Sequence, residues 1–193
     1  MAQITRSAGL IDYLELCRSL GVDAYKLAAK AGVPGAALTD PDLMIPLPAM
    51  CQMYEMAAEA SGADDFGLRV GELRRLSSQG ALALAARNQP TLREVIEVFR
   101  KYPWLQNSAT SIDLEEVGDT AVLRLNGPAW MGRQYVGLYV ALIVRILREF
   151  LGEEWRPREV WFTYARPANL ESHRRVFGVT PHFDQDYLAV VSD

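Results

Sequence analysis

The chain has 193 residues, half of them hydrophobic, with 20 Lys and Arg against 24 Asp and Glu and a net charge of −4. That length and composition bury a full core and fall between one and two typical domains, while the acidic balance excludes a general basic field for nucleic acid or an anionic membrane. Two cysteines, Cys17 and Cys51, lie in helix-patterned apolar stretches without a CxxC spacing or a histidine cluster, so they read as buried reduced thiols, with a bridge left open. The start, Met1 to Arg6, has no basic region followed by an apolar signal core, which points to the cytoplasm. The uncharged run Gln134 to Val144 is too short to cross a bilayer.

Leu10, Tyr13, Leu14 and Cys17 form a first apolar stripe at helical spacing. The stretch Ala24 to Pro34, with Leu27-Ala-Ala-Lys-Ala-Gly-Val33, then looks like the start of a DNA-binding helix-turn-helix, with Gly32 placed to end a helix. Residues Pro34 to Asp42 stand where the recognition helix should be. They contain no Arg, Lys, Gln or Asn to reach base edges, and Asp40 and Asp42 would face a polyanion. The segment reads as a structural hairpin of helices and not as a DNA reader.

The helical spacing recurs through Met50, Met53, Tyr54 and Ala57. A third helix is predicted from Asp64 to Leu73, capped by Asp64 or Asp65, and a fourth from about Ser78 to Asn88. Thr91 caps a fifth, with Glu94 at the capping-box spacing and Val95, Ile96, Val98 and Phe99 as its apolar positions. After Pro103 the period shortens. Ser111 to Glu116 alternates, Val117 to Thr120 reads as a hairpin turn, and Ala121 to Leu125 continues as a second strand. Ala129 to Leu151 is a long helix whose centre, Val136 to Val144, is apolar on all sides, which makes it the spine of this half. A third strand at Glu159 to Tyr164, a short helix at Asn169 to Phe177 and a last strand at Tyr187 to Val191 complete a ββαβαβ order. The predicted class is α+β: a helical block, 1–103, packed on a small sheet region, 104–193, in a single domain.

Four strings then carry a resemblance: Leu43-Met-Ile-Pro46 after Asp40-Pro-Asp42, Ser61 to Gly71, Pro90-Thr-Leu-Arg-Glu94, and Val160-Trp-Phe162 with Phe177-Gly178. In this order, over nearly the whole chain, they resemble the amino-terminal effector domain of AraC-type transcription regulators, in the subfamily called the arabinose-binding-like domain. The resemblance implies a small-molecule effector, self-association into a homodimer, and DNA reading by a separate carboxy-terminal region with two helix-turn-helix units. That region is absent from this chain, so the sequence is expected to be the sensing part of a longer regulator or a stand-alone relative. The absence of basic reading residues after Pro34 then has a reason.

Catalytic and metal chemistry find no support. His173 and His182 lie nine positions apart and form no helical metal pair, and nothing local brings Cys17 or Cys51 to either. The carboxylate pairs Asp64-Asp65, Glu115-Glu116 and Glu153-Glu154 sit at predicted helix starts or turns, and Gly67 and Gly71 belong to a helical pattern, not to a phosphate loop. No catalytic residue, metal ligand or cofactor is assigned. A binding pocket remains. Its candidate lining is Tyr102, Trp104 and Gln106 between the halves, Tyr135 and Tyr139 on the spine, and Trp161 and Tyr164 on the third strand, residues that join apolar area to a hydrogen-bonding tip. Most aromatics at such spacing fill core. Arg124 shares a strand face with Val122 and Asn126, where it holds an acidic effector or faces water. A ligand-independent interaction module, marked by a dry packed core, and a small enzyme, marked by a cleft with shifted pKa values, are the alternatives.

The lack of base-reading side chains makes one outcome testable at once. The purified chain should show no sequence-dependent binding to duplex DNA at micromolar concentration and physiological salt in fluorescence anisotropy; tight, sequence-dependent binding would restore the Ala24 to Asp42 segment as a reader.

Overall fold

The computed structural model describes residues 3–102, 107 and 109–193. Two short strands, β1 (Ile4–Arg6) and β2 (Met44–Pro46), pair antiparallel with Ile4 opposite Pro46. The sequence pattern does not foresee them, because three residues are too few to show alternation. Helices α1 (Gly9–Ser19), α2 (Ala24–Lys30), α3 (Leu47–Ser61), α4 (Phe66–Leu73), α5 (Ala81–Arg87) and α6 (Leu92–Lys101) make up the rest of the first half. The hairpin β3 (Ser111–Val117) and β4 (Thr120–Asn126), then α7 (Arg133–Leu151), β5 (Glu159–Trp161), α8 (Glu171–Phe177) and β6 (Leu188–Ser192) make up the second. This is the expected α+β class and ββαβαβ order, in an antiparallel sheet ordered β3-β4-β6-β5.

The helix-turn-helix-like segment keeps its first half only. Asp23 caps α2 by accepting from the Lys26 amide at 3.0 Å, and Gly32 takes φ +73° to end the turn. In place of a second helix stands one 3-10 turn, Gly35–Leu38, followed by Pro41, and Ala28, Val33, Ala37 and Leu38 are buried in the helical core. Cys17 and Cys51 are both buried and free, and burial pushes their thiols up to about 11 and about 12. No helix among the described residues is long and apolar enough to cross a membrane.

Helix starts separate what local chemistry decides from what packing decides. At α6 the capping box forms as predicted: Thr91 Oγ1 accepts from the Glu94 amide and Glu94 accepts from the Thr91 amide at 3.1 Å. At α4 the expected aspartate cap does not form. Asp65 stands at the N-cap with ψ 19°, which turns its carboxylate away from the first-turn amides; it pairs with Arg69 at 2.8 Å and accepts from Ser172. The Gly67 amide donates instead to Gln134 Oε1 of α7 at 2.8 Å. The spine helix begins at Arg133, later than the predicted Ala129, because its first turn is capped from α3: the Gln134 amide donates to Glu55 Oε1 at 2.7 Å. The single helix predicted over Ser78 to Asn88 is divided at Gly80, whose φ of +58° ends a 3-10 turn, Leu76–Gln79, before α5.

As expected of a spine, α7 is apolar on all sides from Val136 to Val144 and contributes to every cluster. Tyr135 and Leu138 belong to the helical core, Val140, Ala141, Ile143, Val144 and Leu147 to the core under the sheet, and Ile146 to a third cluster with α5 and α6. It meets α4 without spacing. A Cβ on Gly71 would lie 2.5 Å from Ala141 Cβ, and one on Gly67 would overlap the Gln134 carbonyl.

Replacing Gly67 by Ala adds about 1 kcal/mol of helix propensity, yet forces a methyl into a backbone carbonyl. The overlap dominates, so Gly67→Ala should lower unfolding free energy in urea by at least about 2 kcal/mol. Thr91→Ala, which removes a local cap, should cost only about 1 kcal/mol.

Candidate functional site

One face of α7 forms the wall of a cavity. Tyr135, Leu138, Tyr139, Leu142, Ile143 and Ile146 recur at three- and four-residue steps along it and enclose about 100 Å³ against β1, α5, α6 and the start of β3. A single buried water needs only about 10–15 Å³. Met50, Leu82, Phe99 and Ile112 add apolar lining from four other elements.

Polar groups gather on the opposite side. Seven polar or charged residues are buried among those described, and four of them, Thr5, Arg74, Gln79 and Asn107, line this cavity. Asn107 pairs with Thr5 across a β-bridge, accepts from the Ala109 amide at 2.8 Å, and donates through Nδ2 to the Tyr135 hydroxyl at 3.3 Å. The Tyr139 hydroxyl donates to the Ser111 carbonyl at 3.2 Å. Burial raises both phenols above their ordinary pKa, so they stay protonated at physiological pH and act as neutral hydrogen-bonding groups.

Two arginines complete the polar side. Arg74, the C-cap of α4, has extended dihedrals (φ −69°, ψ 148°) that carry its side chain beneath α1, where Nη1 donates to the Ala8 carbonyl at 2.6 Å. Asp12 lies 3.6 Å away, and burial outweighs Arg74 in setting its carboxyl, which is held above the usual range. The pair is loose. Arg6, on β1, pairs through Nη2 with Asp42, and a Cβ at Gly80 would stand 2.7 Å from its Nη1, so only glycine lets the guanidinium lie there.

Of the residues proposed from the sequence, Tyr135 and Tyr139 line this cavity, while Trp104 and Gln106 lie outside the described residues. Tyr102 is the C-cap of α6, with the Lys101 ammonium 5.3 Å from its ring. Arg124 is on the outer face of the sheet, paired with Glu115 at 3.0 Å and stacked 3.8 Å over Tyr187. Trp161 lies on β5 beside Tyr187 and donates to Glu159 at 2.8 Å, while its strand neighbours Val160 and Phe162 point into the core. Tyr164, three residues beyond the end of β5, packs on Phe162 and Phe183. The structure therefore brings the two spine tyrosines together and leaves Arg124, Trp161 and Tyr164 outside this cavity. Arg6, Arg74, Gln79 and Asn107 also line it and are not among the residues that the sequence pattern singles out. The i, i+3, i+4, i+7 run from Tyr135 to Ile146 was readable as a single face, but nothing in the local sequence marks those four polar residues as lining a cavity.

The Tyr164 hydroxyl lies 2.9 Å from His173 Nε2, and burial first, then the Arg133 charge, hold this histidine down at about 4, against 6.5 in an unfolded chain. Unfolded His173 takes up a proton as pH falls below 6.5 while the folded residue stays neutral, so this residue withdraws stability progressively down to about pH 4. Urea denaturation at pH 7 and pH 5 should show a smaller drop for His173→Gln than for the parent chain.

Against known proteins, residues 21–193 match the family described as the arabinose-binding domain of AraC transcription regulator, N-terminal. The chain is 24% identical over 199 residues to the HTH-type transcriptional regulator VirS of Mycobacterium tuberculosis, covering 100% of this chain and 58% of that protein. It is 26% identical over 178 residues to the ornithine utilization regulator of Pseudomonas aeruginosa, covering 90% of this chain and 52% of the relative. Its fold is like that of the transcriptional regulator CdpR from Pseudomonas aeruginosa, with a TM-score of 0.55 at 19% identity over 91% of this chain and 53% of that one. The chain thus spans little more than half the length of these relatives. With its family match running through helical block, hairpin, spine and last strand alike, the chain belongs to the N-terminal arabinose-binding domain family of AraC transcription regulators.

Proposed function

We propose that this chain, as one domain, senses a small metabolite in the cavity beside α7 and has no catalytic chemistry of its own, and that DNA contact belongs to the part of such regulators that it does not cover. The observation that carries this reading is the cavity of about 100 Å³ with buried polar residues concentrated on one side and apolar residues on the other. Small-molecule sites have this make-up, a mostly apolar lining with a few converging polar groups. The membership of the family and the relatives that are transcription regulators support the regulatory setting, and a cytoplasmic location follows from it.

The cavity joins parts that are otherwise separate in the chain. Thr5 and Arg6 come from β1, Arg74 from the end of α4, and Tyr135 and Tyr139 from α7. A ligand touching all three holds β1, with its partner β2, in one position relative to the spine. Only a difference in affinity between two such positions transmits a signal, so the effector acts by favouring the arrangement in which these walls close on it. Self-association is assigned to the amino-terminal helices: α7 is enclosed by three clusters, whereas Ile11 of α1 and Tyr25 of α2 are 42% and 48% exposed.

A thermal-shift screen of small metabolites should yield compounds that raise the melting temperature, and Leu142→Trp, which fills the cavity from α7, should abolish the shift while leaving the circular dichroism unchanged. A compound whose shift persists in Leu142→Trp would place the effector elsewhere. Sedimentation of the same protein should show a dimer that Ile11→Glu weakens; a monomer at high concentration would remove self-association from this domain.

A further inference from the structure

The cavity is electrically lopsided. Its described lining contains two arginines and no carboxylate, and every other lining side chain is neutral. Arg74 is only 5% exposed, and although Nη1 is taken by the Ala8 carbonyl, its buried Nε finds no acceptor among the described residues. On Arg6, Nη2 is taken by Asp42, while the buried Nη1 also finds no acceptor among them. A buried N–H on a charged group left without an acceptor is among the costlier defects a fold can carry, and here the two arginines that carry one both line the same cavity. Arginine suits the planar, two-oxygen acceptor that would satisfy them.

We propose that the effector is a monocarboxylate with a compact apolar body: its carboxylate accepts from Arg74 Nε, with Arg6 Nη1 as a second donor, and its body lies along Leu138, Leu142 and Ile146. The inference rests on the reading of this cavity as the effector site and adds the ligand's charge and orientation. Asp12 and Asp42 already offset part of both guanidinium charges, which suits one negative charge better than the two of a phosphate. An α-ammonium would lie next to the bound carboxylate, beside two guanidinium groups and with no carboxylate in the described lining to pair it, which disfavours a free amino acid bound as a zwitterion.

The test uses the 193-residue protein with matched probes: phenylacetate, phenylacetamide and phenethylamine, and hexanoate, hexanamide and hexylamine, each titrated by calorimetry. The carboxylates should bind, the amides at least about ten-fold more weakly, and the amines not measurably. Arg74→Gln should weaken carboxylate binding by about ten-fold or more without changing amide binding. Because Arg74 also holds the Ala8 carbonyl, Arg74→Lys, which keeps a cation and a donor but loses the fork, and Arg6→Gln serve as second variants, each with a smaller loss in the same direction. Amides binding as tightly as acids would overturn the carboxylate assignment while leaving the cavity as the sensing site. Carboxylate binding unchanged in Arg74→Lys and Arg6→Gln but lost in Leu142→Trp would overturn the role of the arginines and keep the cavity. Failure of all six probes would overturn the proposal, whereas the assignment of this cavity as the sensing site falls if compounds from the wider screen bind with Leu142→Trp as well as before.

Discussion

Helices α4 and α7 touch backbone to backbone, and the rest of the fold is arranged around that contact. Gly67 and Gly71 leave no side chain between the helices, so the Gln134 carbonyl and the Ala141 methyl occupy the space a Cβ would need. On the facing helix Gly137 lies against Leu68. Close approach of this kind has little tolerance, because a packed interior cannot absorb even a methyl group without displacement. The contact is also polar: Gln134 accepts from the Gly67 amide and donates to the Asp64 carbonyl at 2.9 Å, so α7 supplies the cap that α4 lacks. Since α7 contributes side chains to all three clusters, fixing it against α4 fixes the helical half relative to the sheet.

The cavity is a consequence of the same arrangement. Helix α4 runs along α7 and stops at Leu73, where the extended backbone of Arg74 directs the guanidinium under α1. The chain then crosses through the Leu76–Gln79 turn, whose first amide donates to Glu149 of α7 at 2.9 Å, before α5 begins. The space left between this crossing, β1 and α7 is lined by neutral hydroxyls and amides as well as by the two arginines. Stability alone would favour apolar residues there, since replacing a buried charged group by a well-packed hydrophobe is often neutral or stabilising. Four of the seven buried polar residues among those described gather here, and that concentration is what favours reading the space as a site over a packing defect.

The segment that resembles a DNA-binding unit has a different use. Leu-Ala-x-x-Ala-Gly-Val is a packing pattern before it is a reading pattern, because small residues let helices approach and glycine reverses the chain. Here Ala24, Ala28, Val33 and Ala37 are buried among α1 and α3 residues, and the chain turns at Pro34 and Pro41 toward β2. With a single turn in place of the second helix, no surface helix is presented to a groove.

What the sequence determined by itself was the part governed by near neighbours. Asp23 and Thr91 cap their own helices, the hairpin turn at Gly118 pairs Val117 with Thr120, the alternation of Leu123, Arg124 and Leu125 separates core from outer face, and the apolar circumference of Val136 to Val144 marks a helix packed on all sides. The family resemblance was legible for the same reason, since it lies in short strings. Only the tertiary structure decided the rest. The starts of α4 and α7 depend on Gln134 and Glu55, residues 67 and 79 positions away from the amides they serve. The strands β1 and β2 exist because residues about forty apart in sequence meet, too short a pairing to leave a periodic trace. Arg6, Arg74, Gln79 and Asn107 look like ordinary surface residues in the chain, and their meeting on one cavity is set by how β1, α4 and α7 pack. Trp161 shows the converse: its chemistry suits a pocket, but the two-residue period of β5 turns it away from the core, beside Tyr187. Side-chain type is a local property, whereas burial is a property of the packed whole, and the candidate site depends on that packing.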